Sequence, residues 1–223
     1  MQNEKVNQEK ESVMDKVNDF IQRNRIVIFT VLGIIVFLFI GAVVYLAVKD
    51  SVDKKAIVKL EELTDRYNNL FLSLKDENPE VDLLISDLEN FAGNKKGVAP
   101  SKAWSLSGDI YAGREYWAKA EDAYIKSANA GVKTYLGPIS LFNAAAAAEE
   151  QGKFENAISL LQECLAHKFE FPSAPRAQFS IGRLNEKLGN TSDAIEAYRA
   201  VMINWPEMPV WQQLARSRII VLE

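Results

Sequence analysis

Residues 181–206 read IGRLNEKLGNTSDAIEAYRAVMINWP. In that stretch Gly182 is followed twelve positions later by Ala194 and four beyond that by Tyr198; Gly189 lies between, and Pro206 closes the run. Small residues at this spacing let two antiparallel helices approach closely, with the glycine in the turn and the tyrosine filling the gap to the next element. Read backward, the same pattern of sizes recurs. Trp104, Gly108, Tyr111, Ala120, Tyr124 and Ser127 make one copy, and Leu141, Ala145, Ala148, Gly152, Ala157, Leu161 and Cys164 make another. Read forward, Trp211, Leu214 and Ala215 begin a partial fourth before Glu223. The equivalent residues Gly108, Ala145, Gly182 and Ala215 stand 37, 37 and 33 positions apart.

A helix–turn–helix unit of this length with these small-residue positions resembles the tetratricopeptide repeat. The resemblance covers residues 101–223 and is best in the third copy. Ser107 and Ala144 depart from the usual leucine, and the first two copies carry three extra residues, expected at the 130–138 and 169–175 connections. Residues 209–222 read as the helix that caps the stack. The fold class expected is all-α: an N-terminal transmembrane helix followed by a tetratricopeptide-repeat α-solenoid.

The transmembrane reading rests on Ile26 to Val48, which contains no charged residue. As a helix this stretch is roughly 35 Å long, enough for the ~30 Å hydrocarbon core of a bilayer. It is too long for a signal-peptide core and has a bulky Leu46 where a cleavage site needs a small residue. Neither Gly33 nor Gly41 has a small residue four positions away, so no GxxxG face is present. Arg23 and Arg25 abut the N-terminal end, and long C-terminal domains translocate largely regardless of charge, which places the N-terminus inside. The expected domains are a charged tail over 1–25, the span over 26–48, linker helices or a degenerate repeat over 49–100, and three repeats plus a capping helix over 101–223.

The tail carries Val13, Val17, Phe20 and Ile21 at helical spacing, which reads either as a short amphipathic helix or as a frayed polar segment. In the linker, Ala56, Leu60, Leu63, Tyr67, Leu70 and Leu74 form a heptad stripe. That stripe makes either a homodimer through residues 56–74 or an intramolecular packing face, and Ile57, Val58, Phe71 and Leu72 widen it beyond a two-helix seam. A turn at 76–79 and a helix over 80–91, capped by Gly93, follow.

Composition narrows the function classes. A formal charge of −4 offers no footprint for nucleic acid. One cysteine and one histidine leave little material for a metal centre, and no nucleophile–base pair or glycine-rich phosphate loop is readable. No cofactor and no enzymatic activity are expected. Cys164 falls at a small-residue position and reads as a buried thiol; His167, near a helix C-terminus, reads as favouring the helix dipole.

The repeat family binds peptides or helices along the concave face lined by first helices. Carried over by position, this implies a groove of Lys102, Ser105, Asp109, Phe142, Asn143, Ala146, Glu149, Arg176, Phe179, Arg183 and Glu186, with Ala112 and Ile139 beside them. Phe142 and Phe179 are equivalent and either anchor a ligand or pack on a neighbouring helix. Of the five-residue clamp with which some members grip a C-terminal carboxylate, Asn143 and Arg176 match while Ser105, Asp109 and Ser180 do not. Asp109 would repel a carboxylate.

The order of tail, span, linker helix and degenerate repeats is similar to the YfgM family of bacterial inner-membrane proteins. That resemblance implies residence in the cytoplasmic (inner) membrane with the C-terminal domain in the periplasm. It also implies an accessory chaperone role beside Sec translocon subunits, a membrane-anchored periplasmic foldase or exported client proteins. A structural adaptor for cell-envelope or division machinery, with one dedicated folded partner, is the alternative role.

Overall fold

The computed structural model describes residues 2–74 and 78–223, with side chains throughout except at 2–17, 19, 49 and 53. Asp76 and Glu77 of the expected turn, and the side chains of Val13 and Val17 on the expected amphipathic face, lie outside what is described. Among the described residues all regular structure is helical. The chain divides into two units, residues 1–55 and 56–223.

The first unit is helical and belongs to α1 (Gln2–Asn69). The helix over Phe20–Asn69 contains a window of mean hydropathy 3.1 and is long and apolar enough to cross a membrane. Its large apolar side chains point outward: Phe37 is 77% exposed and Phe39 69%. Thr30 donates its hydroxyl to the Ile26 carbonyl at 2.8 Å, so this polar side chain is satisfied within its own helix.

In the second unit the end of α1 lays the heptad stripe on its own chain. Leu63 and Leu74 are buried with Val81, Leu84 and Leu88 of α2 (Pro79–Ala92) and with Ala103, Leu106 and Ile110 of α3 (Val98–Gly113). Leu60, Tyr67 and Leu70 border that core, and Arg66 pairs with Asp87 at 2.5 Å. Ile57, Val58, Phe71 and Leu72 are exposed, the last two in a 3₁₀ turn over Phe71–Ser73. The Asn78 side chain accepts from the Glu80 amide at 2.9 Å and Pro79 occupies the first turn, so α2 starts where its orphan N–H groups are met. Gly93, at φ +47°, ends it.

Three helix pairs follow: α3 with α4 (Trp117–Ala130), α5 (Leu136–Glu150) with α6 (Phe154–Leu165), and α7 (Ala174–Leu188) with α8 (Thr191–Asn204). A last helix, α9 (Pro209–Leu222), packs on α8. The turn inside each pair needs one left-handed residue. Gly152 (φ +73°) and Gly189 (φ +77°) supply it in the second and third pairs, whereas the first uses Glu115 (φ +61°) at the equivalent position. Of the longer connections, 131–135 lies within the expected 130–138, whereas 166–173 starts and ends earlier than the expected 169–175 because Ala174 and Pro175 already belong to α7.

Close approach within the pairs is volume-matched. A Cβ on Gly108 would lie 2.6 Å from Tyr124 Cε1, and one on Gly182 would lie 2.6 Å from Tyr198 Cε1. In the second pair the ring is replaced by Leu161 and the small residue grows to Ala145, both buried in one cluster. Serine and cysteine share a task one turn further on. Ser127 donates to the Ser101 carbonyl at 2.7 Å, and Cys164 donates to the Pro138 carbonyl at 3.1 Å in the equivalent place. Burial pushes the Cys164 thiol up to about 12, which suits a structural group and not a nucleophile.

These pairs predict a coupled mutational response. Gly182→Ala should cost about 1–3 kcal/mol by overpacking against Tyr198. The cost should shrink when the same substitution is made in a Tyr198→Leu background, which recreates the Ala145–Leu161 pairing. Urea denaturation of the four proteins of that cycle, followed by circular dichroism, measures the coupling.

Candidate functional site

The first helices of the three pairs, α3, α5 and α7, form one row with α9, and charged side chains link α5 to α7 and α7 to α9. Glu149 of α5 accepts from both guanidinium nitrogens of Arg183 on α7, at 2.5 and 2.6 Å, and from Lys187 at 2.8 Å. Glu186 of α7 accepts from Arg218 of α9 through Nε at 2.9 Å and through a second guanidinium nitrogen, and takes the Tyr198 hydroxyl at 2.5 Å. Paired carboxylate–guanidinium contacts of this kind fix orientation as well as adding energy. The Arg183 hydrogen bonds, with Lys187 assisting, hold the Glu149 carboxyl down at about 2.

The two equivalent phenylalanines are half-buried between helices. Phe142 packs on Phe171 with ring centroids 5.2 Å apart, and the Arg176 guanidinium lies over the Phe142 ring, 5.2 Å from its centroid, as a cation–π contact. Phe179 packs between Tyr198 (4.9 Å) and Trp211 (5.7 Å). Much of each ring is therefore spent on the fold.

An open cavity of about 380 Å³ lies where α3 faces α5, lined by Asp109, Ala112, Trp117, Tyr124, Asn143, Ala146, Ala147 and Glu150. Asp109 accepts the Tyr124 hydroxyl at 2.8 Å. Burial raises the Asp109 carboxyl above its usual range, while that hydrogen bond and the nearby Lys102 charge pull it back. The Tyr124 phenol is pushed up by burial and by the Asp109 charge, so it stays protonated as the donor.

Of the residues proposed from sequence, Asp109, Ala112, Asn143 and Ala146 come together at this cavity. Ser105 is buried, Lys102 is half-buried on α3, and Arg176 stands exposed at the start of α7. Glu149, Arg183 and Glu186 sit in the ion-paired row, and Phe142 and Phe179 in the aromatic contacts. Trp117, Tyr124 and Glu150 also line the cavity and were not proposed; Tyr124 was legible only as a gap-filling ring. His167 proves to be a connector. Its Nδ1 accepts the Phe169 amide at 3.2 Å, and its ring lies so close to Gly137 that a Cβ there would meet Nε2 at 2.5 Å. Among the described residues no group of three or more His, Cys, Asp or Glu side chains is placed to hold a metal ion.

Comparison with known proteins agrees with this architecture. Residues 142–209 match the family model described as tetratricopeptide repeat. The chain is 36% identical over 143 residues to a TPR repeat-containing protein of Treponema pallidum (strain Nichols). That match takes in 63% of this chain and spans only 59% of the relative's own length. Two crystal structures of nearly identical TPR-like repeats of a kinesin light chain from Podosopora anserina, one of them a single-substitution variant, share the fold. They superpose with TM-scores of 0.55 and 0.54 at 13% and 14% identity, over 73% of this chain and 85% and 86% of theirs. The helical array has the fold of a tetratricopeptide-repeat solenoid, with the repeat's sequence pattern matched over residues 142–209.

The Glu149 pairing makes stability depend on acid. A carboxylate held at about 2 against an ordinary 4.5 adds stability above 4.5 and loses it as pH falls toward 2. Glu149→Gln should therefore destabilise by about 1–2 kcal/mol at pH 7, allowing for solvent screening of a pair this open. The variant should also lose less stability than the parent between those pH values. Thermal melts from pH 7 to pH 2 compare the two slopes.

Proposed function

We propose that this chain is a membrane-anchored, non-enzymatic interaction module that meets its partners with the row of first helices, as an accessory chaperone or adaptor at the Sec translocon for exported proteins. The observation that carries this reading is the joining, in one chain, of a helix apolar enough to cross a bilayer to a solenoid of tetratricopeptide repeats. A protein of that plan acts at a membrane surface through contacts with other proteins, and tethering raises the effective concentration of its binding face there. The span is residues 26–48, the N-terminal tail faces the cytoplasm, and the repeats face the periplasm.

The cavity between α3 and α5 supports a binding role for Asp109, Asn143 and Ala146. It has an apolar floor of alanines, aromatic walls from Trp117 and Tyr124, and polar groups from Asp109, Asn143 and Glu150 that orient a bound segment. Asp109 argues against recognition of a free C-terminal carboxylate. The ion-paired residues Glu149, Arg183 and Glu186 serve this face by setting the spacing of its helices.

Photocrosslinking tests the assignment. A photoreactive amino acid replacing the exposed Ala146 in the full chain, in intact cells, should give adducts with translocon subunits, a membrane-anchored foldase or many nascent exported chains. Adducts with one folded envelope protein alone would replace this reading with that of a dedicated structural adaptor. Adducts with cytosolic proteins would overturn the topology.

A further inference from the structure

The repeat register shows what differs between the seam that joins α5 to α7 and the one that joins α3 to α5. Counting from Gly108, Ala145 and Gly182, the residues Glu149, Arg183 and Lys187 of the α5–α7 seam correspond to Ala112, Ala146 and Glu150 of the α3–α5 seam. At α5–α7 the charged residues fill the space between the helices. Arg183 forks onto Glu149, and Lys187 reaches the same carboxylate at 2.8 Å while lying over the Phe154 ring, 5.0 Å from its centroid. At α3–α5 the acid and the arginine are both alanines and the lysine is a glutamate. Those three residues line the open cavity of about 380 Å³. The aromatic wall is kept, because Phe154 corresponds to Trp117, which lines the cavity too.

The α3–α5 seam therefore keeps the partners of a cation and lacks the cation. Among the described residues no lysine or arginine lines the cavity, whereas the carboxylates of Asp109 and Glu150 do. Asp109 accepts the Tyr124 hydroxyl through Oδ1, and Lys102 acts on it at longer range without forming an ion pair. Burial raises the Asp109 carboxyl, the response of an anion held out of water with no cation close by. The other two seams take a guanidinium from the chain itself, Arg183 on Glu149 and Arg218 on Glu186.

We propose that the α3–α5 cavity receives the side chain of an arginine from a bound polypeptide segment, so that the partner supplies at this seam the cation that Arg183 and Arg218 supply at the other two. The inference rests on the reading of the first-helix row as the face that meets partners, and it adds what that face selects. The guanidinium donates to the Asp109 carboxylate, whose Oδ2 is left by the Tyr124 contact, and its flat face stacks on Trp117. Asn143 offers an amide oxygen, Glu150 adds a second negative charge, and the alanine floor takes the methylene stem. Arginine suits the site better than lysine, because its guanidinium is more weakly hydrated and matches a carboxylate and an aromatic ring at once.

Fluorescence anisotropy with the full chain in lipid nanodiscs tests the selection. The probes are short labelled peptides, uncharged except at a central position that holds arginine, lysine or citrulline, the last a neutral analogue of arginine. The arginine peptide should bind at least about tenfold tighter than the citrulline peptide, with lysine between them. Asp109→Asn/Glu150→Gln should erase that difference, while the new amide still accepts the Tyr124 hydroxyl and circular dichroism reports an intact fold. Ala146→Arg, at an exposed position, should place a guanidinium of the chain's own in the cavity and weaken the arginine peptide about tenfold. Equal binding of the arginine and citrulline peptides would overturn the proposal and leave the row a face indifferent to charge. An arginine preference that survives both variants would overturn it by placing the site elsewhere. Failure of every peptide to bind would also overturn it, and crosslinking from residue 146 in cells then decides separately whether the row meets partners.

Discussion

The contact on which the solenoid depends is the approach of a side chain from each second helix onto a nearly bare patch of the first. In the outer two pairs the ring of Tyr124 or Tyr198 lies where a Cβ on Gly108 or Gly182 would stand. The ring excludes water from the seam, and its hydroxyl passes through to reach Asp109 or Glu186 on the first-helix row. One residue therefore sets the distance between helices and also orients a carboxylate of the first-helix row. The middle pair solves the same packing problem with Ala145 and Leu161, and without a hydroxyl it has no equivalent polar link. Interiors packed to this density tolerate such exchanges only when the volumes change together.

Between repeats the fold relies on a different physics. Glu149 with Arg183 ties α5 to α7 and Glu186 with Arg218 ties α7 to α9, and the guanidinium forks fix orientation as well as distance. Between the first and second pairs the row holds the α3–α5 cavity. Behind it, Glu121 of α4 accepts from Gln151, Lys153 and Asn156, so the turn between α5 and α6 is held from the opposite side. The cavity between α3 and α5 is thus bordered by well-tied elements.

Much of this was legible as pattern. The spacing of Gly108, Ala145, Gly182 and Ala215 specified paired helices because backbone proximity demands small residues whatever surrounds them. Gly93, Gly152 and Gly189 marked turns because a left-handed backbone favours glycine. Glu115 escaped that logic: it holds the same conformation without being glycine, and only its position in the register betrays it. Phe142 and Phe179 looked equally suited to anchoring a ligand or to packing. Their neighbours, Phe171 in a connection and Trp211 on another helix, are brought beside them only by the superhelix.

By itself the sequence determined the local and periodic features of this protein: an uncharged run long enough to cross a bilayer, helix pairs and the turns within them. These follow from helix length, side-chain volume and backbone freedom, which act over a few residues and need no knowledge of the whole. Tertiary structure alone decided which charged residues are spent on one another, since Glu149 and Arg183 meet across 34 positions through the pitch of the array. It alone decided that the heptad stripe of residues 56–74 buries Leu63 and Leu74 in its own chain. Burial depends on what the neighbouring helices cover, and that is settled by how the repeats stack.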